Sequence, residues 1–169
     1  MATSCVLYLV RHAIAAERGE DWPDDDTRPL TPRGVARFKK SLDGLCGLGV
    51  VVDEIFTSPL VRAAQTAELL AAGLSRKPSV TVLDALAPGH SPAVVLAQLA
   101  KAARRPRIAL VGHEPGLGEL AAHLIGTGRA LPFKKGGVCR IELESLGSRR
   151  AGALNWLVTP KVLRGLSRK

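Results

Sequence analysis

The 169-residue sequence predicts a three-layer α/β/α sandwich with a mostly parallel sheet and a C-terminal antiparallel hairpin, one domain over residues 1–169. Three observations carry that expectation. Short apolar runs alternate with segments of helical periodicity along most of the chain, the order of parallel strands joined by crossover helices. The run Arg107–Gly112 is apolar throughout after its first residue, as in a strand covered on both faces. Near the C-terminus the pattern changes to a period of two, which marks half-exposed strands.

The elements follow in order. Residues 5–10 form a buried strand closed by Arg11-His12. Thr31-Pro32 opens a helix, Thr as the cap and Pro at the first helical position. Val35, Phe38, Leu42 and Leu45 continue it at helical spacing, and Gly47 or Gly49 ends it. Residues 50–57 are the second strand. Ser58-Pro59 repeats the cap chemistry, and Leu60, Ala63, Ala67, Leu70 and Leu74 form one face of the next helix. Residues 79–83 are a short strand, residues 92–104 a helix rich in Ala and Leu, and Arg107–Gly112 the fourth strand. Pro115 starts another helix, with Leu117, Leu120, Ala121, Leu124 and Ile125 on its apolar face.

Cys139, Ile141 and Leu143 then alternate with Arg140, Glu142 and Glu144. Leu154, Trp156 and Val158 repeat the pattern beyond Gly147, so these two strands should pair antiparallel. Residues 160–166 close the chain as a short helix. The stretch 13–30 is long for a connection, and such loops often serve as lids. Its Asp24-Asp25-Asp26 run reads as solvation of the loop rather than as a barrier to anions.

Composition narrows the class. The chain is 46% hydrophobic and only 4% aromatic, which predicts an aliphatic core. Three cysteines with no CxxC pair predict a reduced, cytoplasmic protein with no disulfide framework or zinc site. The apolar run at 5–10 is too short for a membrane span and lacks the flanks of a signal peptide. The net charge of +9 is concentrated in residues 129–169, with ten basic and two acidic side chains. No nucleic-acid motif accompanies that charge, so neither nucleic acid nor membrane is expected as a partner, and a solvated face is preferred to a docking tail.

The chemistry lies at strand ends, which converge on one crevice in an α/β sheet. Arg11 and His12 follow the first strand, His113 follows the fourth, and Arg62 sits in the first turn of the helix after Ser58-Pro59. Singly, these would be a loop histidine, a helix-capping histidine and a solvent-facing arginine. Together they make a cationic pocket for a phosphoryl group. A neutral His12 can attack phosphorus if its other ring nitrogen is held by an acceptor. Helix N–H groups beside Arg62 favour anions, and His113, preferably as imidazolium, can donate to a phosphoryl oxygen.

The segments Leu9-Val10-Arg11-His12-Ala13, Arg28-Pro29-Leu30-Thr31-Pro32-Arg33-Gly34, Ser58-Pro59-Leu60-Val61-Arg62-Ala63-Ala64-Gln65-Thr66-Ala67 and Val111-Gly112-His113-Glu114-Pro115 resemble the histidine phosphatase (phosphoglycerate mutase-like) superfamily. Arg-Pro-Leu-Thr and the terminal Thr159-Pro160-Lys161 make the SixA-type phosphohistidine phosphatase branch the best match. The resemblance implies a phosphohistidine intermediate on His12, with Arg11, Arg62 and His113 holding the phosphoryl oxygens and Arg28 assisting. It implies no cofactor and no metal. Lys134 and Lys135 either face the pocket or are two exposed lysines.

One departure matters. The superfamily's carboxylic acid, which protonates an alcohol leaving group, falls on Ala85 here, and Asp84, Glu114 and His90 are the neighbouring candidates. A phosphohistidine already protonated on its other ring nitrogen leaves as neutral imidazole, whereas an alkoxide needs a proton. The leading expectation is therefore a phosphohistidine phosphatase acting on a phosphorylated protein such as a histidine phosphotransfer domain, for which Arg149, Arg150 and Arg164 offer docking charges. The alternatives are a small-molecule phosphomonoesterase for a sugar or nucleotide phosphate, and a noncatalytic phosphate-binding module.

Overall fold

A computed structural model describes residues 4–167; Arg168 and Lys169 of the basic tail lie outside them. The strands are β1 (Cys5–Arg11), β2 (Glu54–Thr57), β3 (Ser79–Val82), β4 (Arg107–Gly112), β5 (Val138–Leu143) and β6 (Ala153–Val158). The helices are α1 (Pro32–Gly47), α2 (Val61–Gly73), α3 (Pro92–Ala102), α4 (Gly116–Ile125) and α5 (Pro160–Gly165).

The strands form one sheet in the order β3-β2-β4-β1-β5-β6. The first four are mutually parallel, and β5 and β6 join antiparallel, so the sheet is mixed as the sequence predicted. β1 and β4 lie at its centre. Their alternate side chains feed two cores: Leu7, Leu9, Ile108 and Leu110 pack under α3 and α4. Tyr8, Val10, Ala109 and Val111 pack under α1, α2 and α5. Burial on both faces explains why these strands show no alternation in sequence.

Three helices start at Thr-Pro or Ser-Pro pairs, with the cap chemistry expected of Thr31-Pro32. Thr31, Ser91 and Thr159 each accept the backbone N–H of the third residue on, with proline in the first turn. Ser58-Pro59 departs from that rule. Helix α2 begins after Leu60 without a side-chain cap, because the Ser58 hydroxyl instead accepts the Leu60 N–H two residues on. The second strand is also shorter than predicted. Asp53, just before it, is drawn aside into a bidentate pair with Arg107 at 2.8 Å.

The register of β1 on β4 fixes what lies at their carboxyl ends. Arg11 pairs with Gly112, and the His12 N–H donates to the Gly112 carbonyl at 3.0 Å. The next residue on each strand is a histidine.

Candidate active site

His12 and His113 stand side by side, their ring centroids 5.2 Å apart. Both are nearly buried, at 5% and 6% exposure. The His12 Nδ1 lies 2.7 Å from the Ala13 carbonyl oxygen. A carbonyl can only accept, so Nδ1 carries the proton and Nε2 keeps its lone pair. Burial, reinforced by the charges of Arg62, Arg11 and Lys135, pushes His12 down to about 4 against the opposing pull of that carbonyl. The ring is neutral at pH 7.

His113 is neutral for the same first reason. Burial pushes it down to about 3, with His12 and Arg62 adding to the effect. The imidazolium expected from the sequence is therefore not the state of the free site. Its Nε2 lies 2.8 Å from the Ser58 hydroxyl, which is the second use of the serine that failed to cap α2.

The arginines arrive from different elements. Arg11, the last residue of β1, donates to the Phe133 carbonyl at 2.7 Å. Gly136, in the left-handed backbone region at φ +81°, donates to the carbonyls of both Arg11 and His12 and pins the turn that carries them. Arg62, in the first turn of α2, is 3% exposed, with Nη1 donating to the Asp25 carbonyl at 2.7 Å and Nη2 to the Asp25 carboxylate at 3.0 Å. Arg28 Nε donates to the same carboxylate at 2.8 Å, and so does Arg18 from the exposed side. Burial works against the charged form of Asp25, but Arg28 and Arg62 hold its carboxyl below the usual range.

Loop 13–30 is thus tied to the site and not merely solvated. Asp25 forms a single 3-10 turn with Asp26 and Thr27, and that turn rests on α2. The Thr66 hydroxyl joins the two halves of the site, accepting the Ala13 N–H at 3.0 Å and donating to the Arg62 carbonyl at 2.7 Å. Gln65 accepts the Leu30 N–H at 2.7 Å and anchors the far end of the loop.

Among the described residues, the buried side-chain nitrogens without a hydrogen-bond partner are Arg11 Nε, Arg62 Nε and His113 Nδ1. Buried polar atoms are nearly always paired, so their concentration in these three side chains suits an anion with several acceptor oxygens.

The acid candidates fare differently. Asp84 and His90 are exposed. Ala85, fully buried, lines a cavity of about 350 Å³ beside His113 together with His90 and Glu114. Glu114 accepts the Gly118 N–H at 3.1 Å, and burial raises its carboxyl. Lys134 and Lys135 line a second groove that starts at Ala13. Arg149 and Arg150 lie in the β5–β6 turn, at the end of the sheet away from His12, whereas Arg164 lies at the near end.

A three-layer α/β/α fold with two imidazoles and three arginines at the carboxyl edge of its parallel strands has the make-up of a phosphoryl-transfer enzyme. The chain belongs to the histidine phosphatase superfamily (branch 1), whose sequence pattern matches residues 7–87. It is 44% identical over 136 residues to an uncharacterized protein of Picosynechococcus sp., covering 78% of this chain and 81% of that one. It is 28% identical over 156 residues to the phosphohistidine phosphatase SixA of Escherichia coli K12, covering 91% and 93% of the two chains. A solved structure of the protein histidine phosphatase SixA complexed with tungstate superposes with a TM-score of 0.80 at 27% identity, over 94% of this chain and 99% of that one.

Four residues of the site escaped the sequence reading. In sequence Asp25 reads as part of a solvating run, and its spacing of three from Arg28 is the available signal. Ser58 read as a cap. Gln65 and Thr66 sat unassigned on the helix of Arg62, because only the fold brings the loop against them.

Proposed function

We propose that the protein is a phosphohistidine phosphatase whose nucleophile is His12. The His12 Nε2 lone pair attacks phosphorus, the substrate's N–P bond breaks, and its electron pair returns to the departing ring. With a proton on its other nitrogen, that ring leaves as neutral imidazole. Water then attacks the phosphorus on His12, releasing inorganic phosphate and restoring the neutral nucleophile. Arg11, Arg62 and His113 hold the phosphoryl oxygens, and Arg28 adds charge at the Asp25 side.

The observation that carries this reading is the Nδ1–Ala13 hydrogen bond, which fixes the tautomer that a nucleophilic Nε2 requires. The buried alanine at position 85 supports the preference for N–P bonds, since it supplies no proton to a leaving alkoxide. The similarity to SixA points the same way.

The test is a panel of phosphohistidine protein, phosphoserine peptide and sugar phosphates, with acid-quenched trapping of labelled phosphate on the enzyme. A trapped phosphoenzyme that disappears in His12→Ala, with the phosphohistidine protein turned over fastest, supports the proposal. Equal turnover of alkyl phosphates overturns the preference, and labelling that survives His12→Ala overturns the nucleophile.

A small-molecule phosphomonoesterase is the second reading. The open cavity beside His113 favours it, being large enough for a small leaving group.

A further inference from the structure

Between α1 and α5 a groove of about 320 Å³ runs outward from Ala13, the residue next to His12. Its floor is apolar, built on Phe38 and Pro160. Its walls carry five cations, Arg37, Lys134, Lys135, Lys161 and Arg164, and no carboxylate lines it. Among the described residues none of the five makes a salt bridge. Several arginines outside the groove are paired with acids: Arg107 and Arg76 share Asp53, Arg140 holds Glu142, and Arg150 approaches Glu144. The groove cations repel one another instead, and Arg33 and Arg164 both weaken the charged form of Arg37.

Unpaired like charge costs stability, and a self-repelling cluster around an apolar floor is electrostatically complementary to an acidic partner. The position of the cluster adds the rest. Ala13, whose carbonyl accepts from His12 Nδ1, and Gly136, whose N–H donates to the His12 carbonyl, both line the groove, so it borders the site.

We propose that the α1–α5 groove is the docking surface for the protein substrate, receiving an acidic segment that places apolar side chains on Phe38 and Pro160 and carboxylates against the five cations. This rests on the reading that His12 dephosphorylates a protein. The groove would hold the substrate's flank while its phosphohistidine reaches His12. It also separates Arg164, which lies in the groove, from Arg149 and Arg150, which have no part in it.

The probes are two fluorescein-labelled synthetic peptides with leucine and glutamate at helical spacing, one of them with glutamine for every glutamate. Binding is followed by anisotropy at low and raised salt. Wild type should bind the glutamate peptide, lose it with salt, and bind the glutamine peptide poorly. Lys161→Glu/Arg164→Glu should weaken binding about tenfold or more, while Arg149→Glu/Arg150→Glu, with the same change of net charge, should leave it unchanged. Turnover of phosphoimidazole should be equal in wild type and the groove variant, whereas a phosphohistidine in the glutamate peptide should lose kcat/KM through KM.

Equal damage from both charge reversals, or equal binding of both peptides, overturns the proposal. So does groove-dependent binding to phosphatidylserine vesicles with none to the peptide. If wild type fails to hydrolyse phosphoimidazole, the phosphatase reading falls, while the anisotropy comparison still decides the groove. Arg37→Glu repeats that comparison should the double variant melt early.

Discussion

Asp25 grips Arg62 at two points, through its backbone carbonyl and through its carboxylate, and shares that carboxylate with Arg28. An acid from the loop therefore competes for the same guanidinium groups that the proposed reaction needs for phosphate. Asp25→Asn should tighten competitive inhibition by inorganic phosphate several-fold while slowing turnover, since Arg62 loses an orienting partner. An unchanged inhibition constant would show that the carboxylate does not compete.

The two imidazoles should also be visible by their failure to titrate. Burial holds His12 down to about 4 and His113 to about 3, against about 6.5 in an unfolded chain. In a histidine proton NMR titration of the free protein, both should remain neutral from pH 8 to about 5. Because the folded values are depressed, the stability they confer is whole above about pH 6.5 and is lost as pH falls toward their folded values. Urea midpoints at pH 7 and pH 5 should differ accordingly, and by less in His113→Asn.

Thr66 links the loop after His12 to the helix of Arg62. Thr66→Val leaves the buried Ala13 N–H without its acceptor, which should cost about 1–3 kcal/mol of stability. It should also lower kcat about tenfold, because the Ala13 peptide is what orients the His12 ring. Thr66→Ser, which keeps the hydroxyl, should restore most of the activity. A melt and steady-state kinetics on the same samples separate the two effects.

Ala85 offers a gain of function. A carboxylic acid there would enter the cavity beside His113, where a leaving alkoxide needs a proton. Ala85→Glu should raise kcat/KM for an alkyl phosphate about tenfold or more and leave phosphoimidazole turnover nearly unchanged. No gain on the alkyl substrate would mean that the missing acid does not set the preference.

These predictions also mark where the sequence was readable. The layers, the sheet and the two histidines could be read because they depend on local pattern: apolar runs of strand length, helix-opening prolines, and polar residues at strand ends. Arg62 could be read because it lies in the first turn of a helix. Asp25 was harder to read, since Arg62 is thirty-seven residues away and only a spacing of three from Arg28 marks it off from Asp24 and Asp26. Ser58 misled for a related reason. Its Ser-Pro pair matches Ser91-Pro92, yet the neighbouring strand presents His113 to its hydroxyl and the local rule yields to that contact.

The groove cations illustrate the same limit on a larger scale. Arg37 and Arg164 come from the two ends of the chain, and only the packing of α1 on α5 assembles them with Lys134 and Lys135. In sequence, the charge excess of residues 129–169 mixes residues of the groove with those of the distant hairpin turn.

The spacing of the paired imidazoles is inherited from the backbone ladder between β1 and β4, the innermost hydrogen bonds of the molecule. The sheet thereby sets where the two rings start, whereas loop residues hold the guanidinium groups around them. Changing loop residues other than those that touch His12 and the arginines would change which molecules gain entry while leaving the imidazole pair in place. A scaffold of this kind can acquire new clients without reinventing its chemistry.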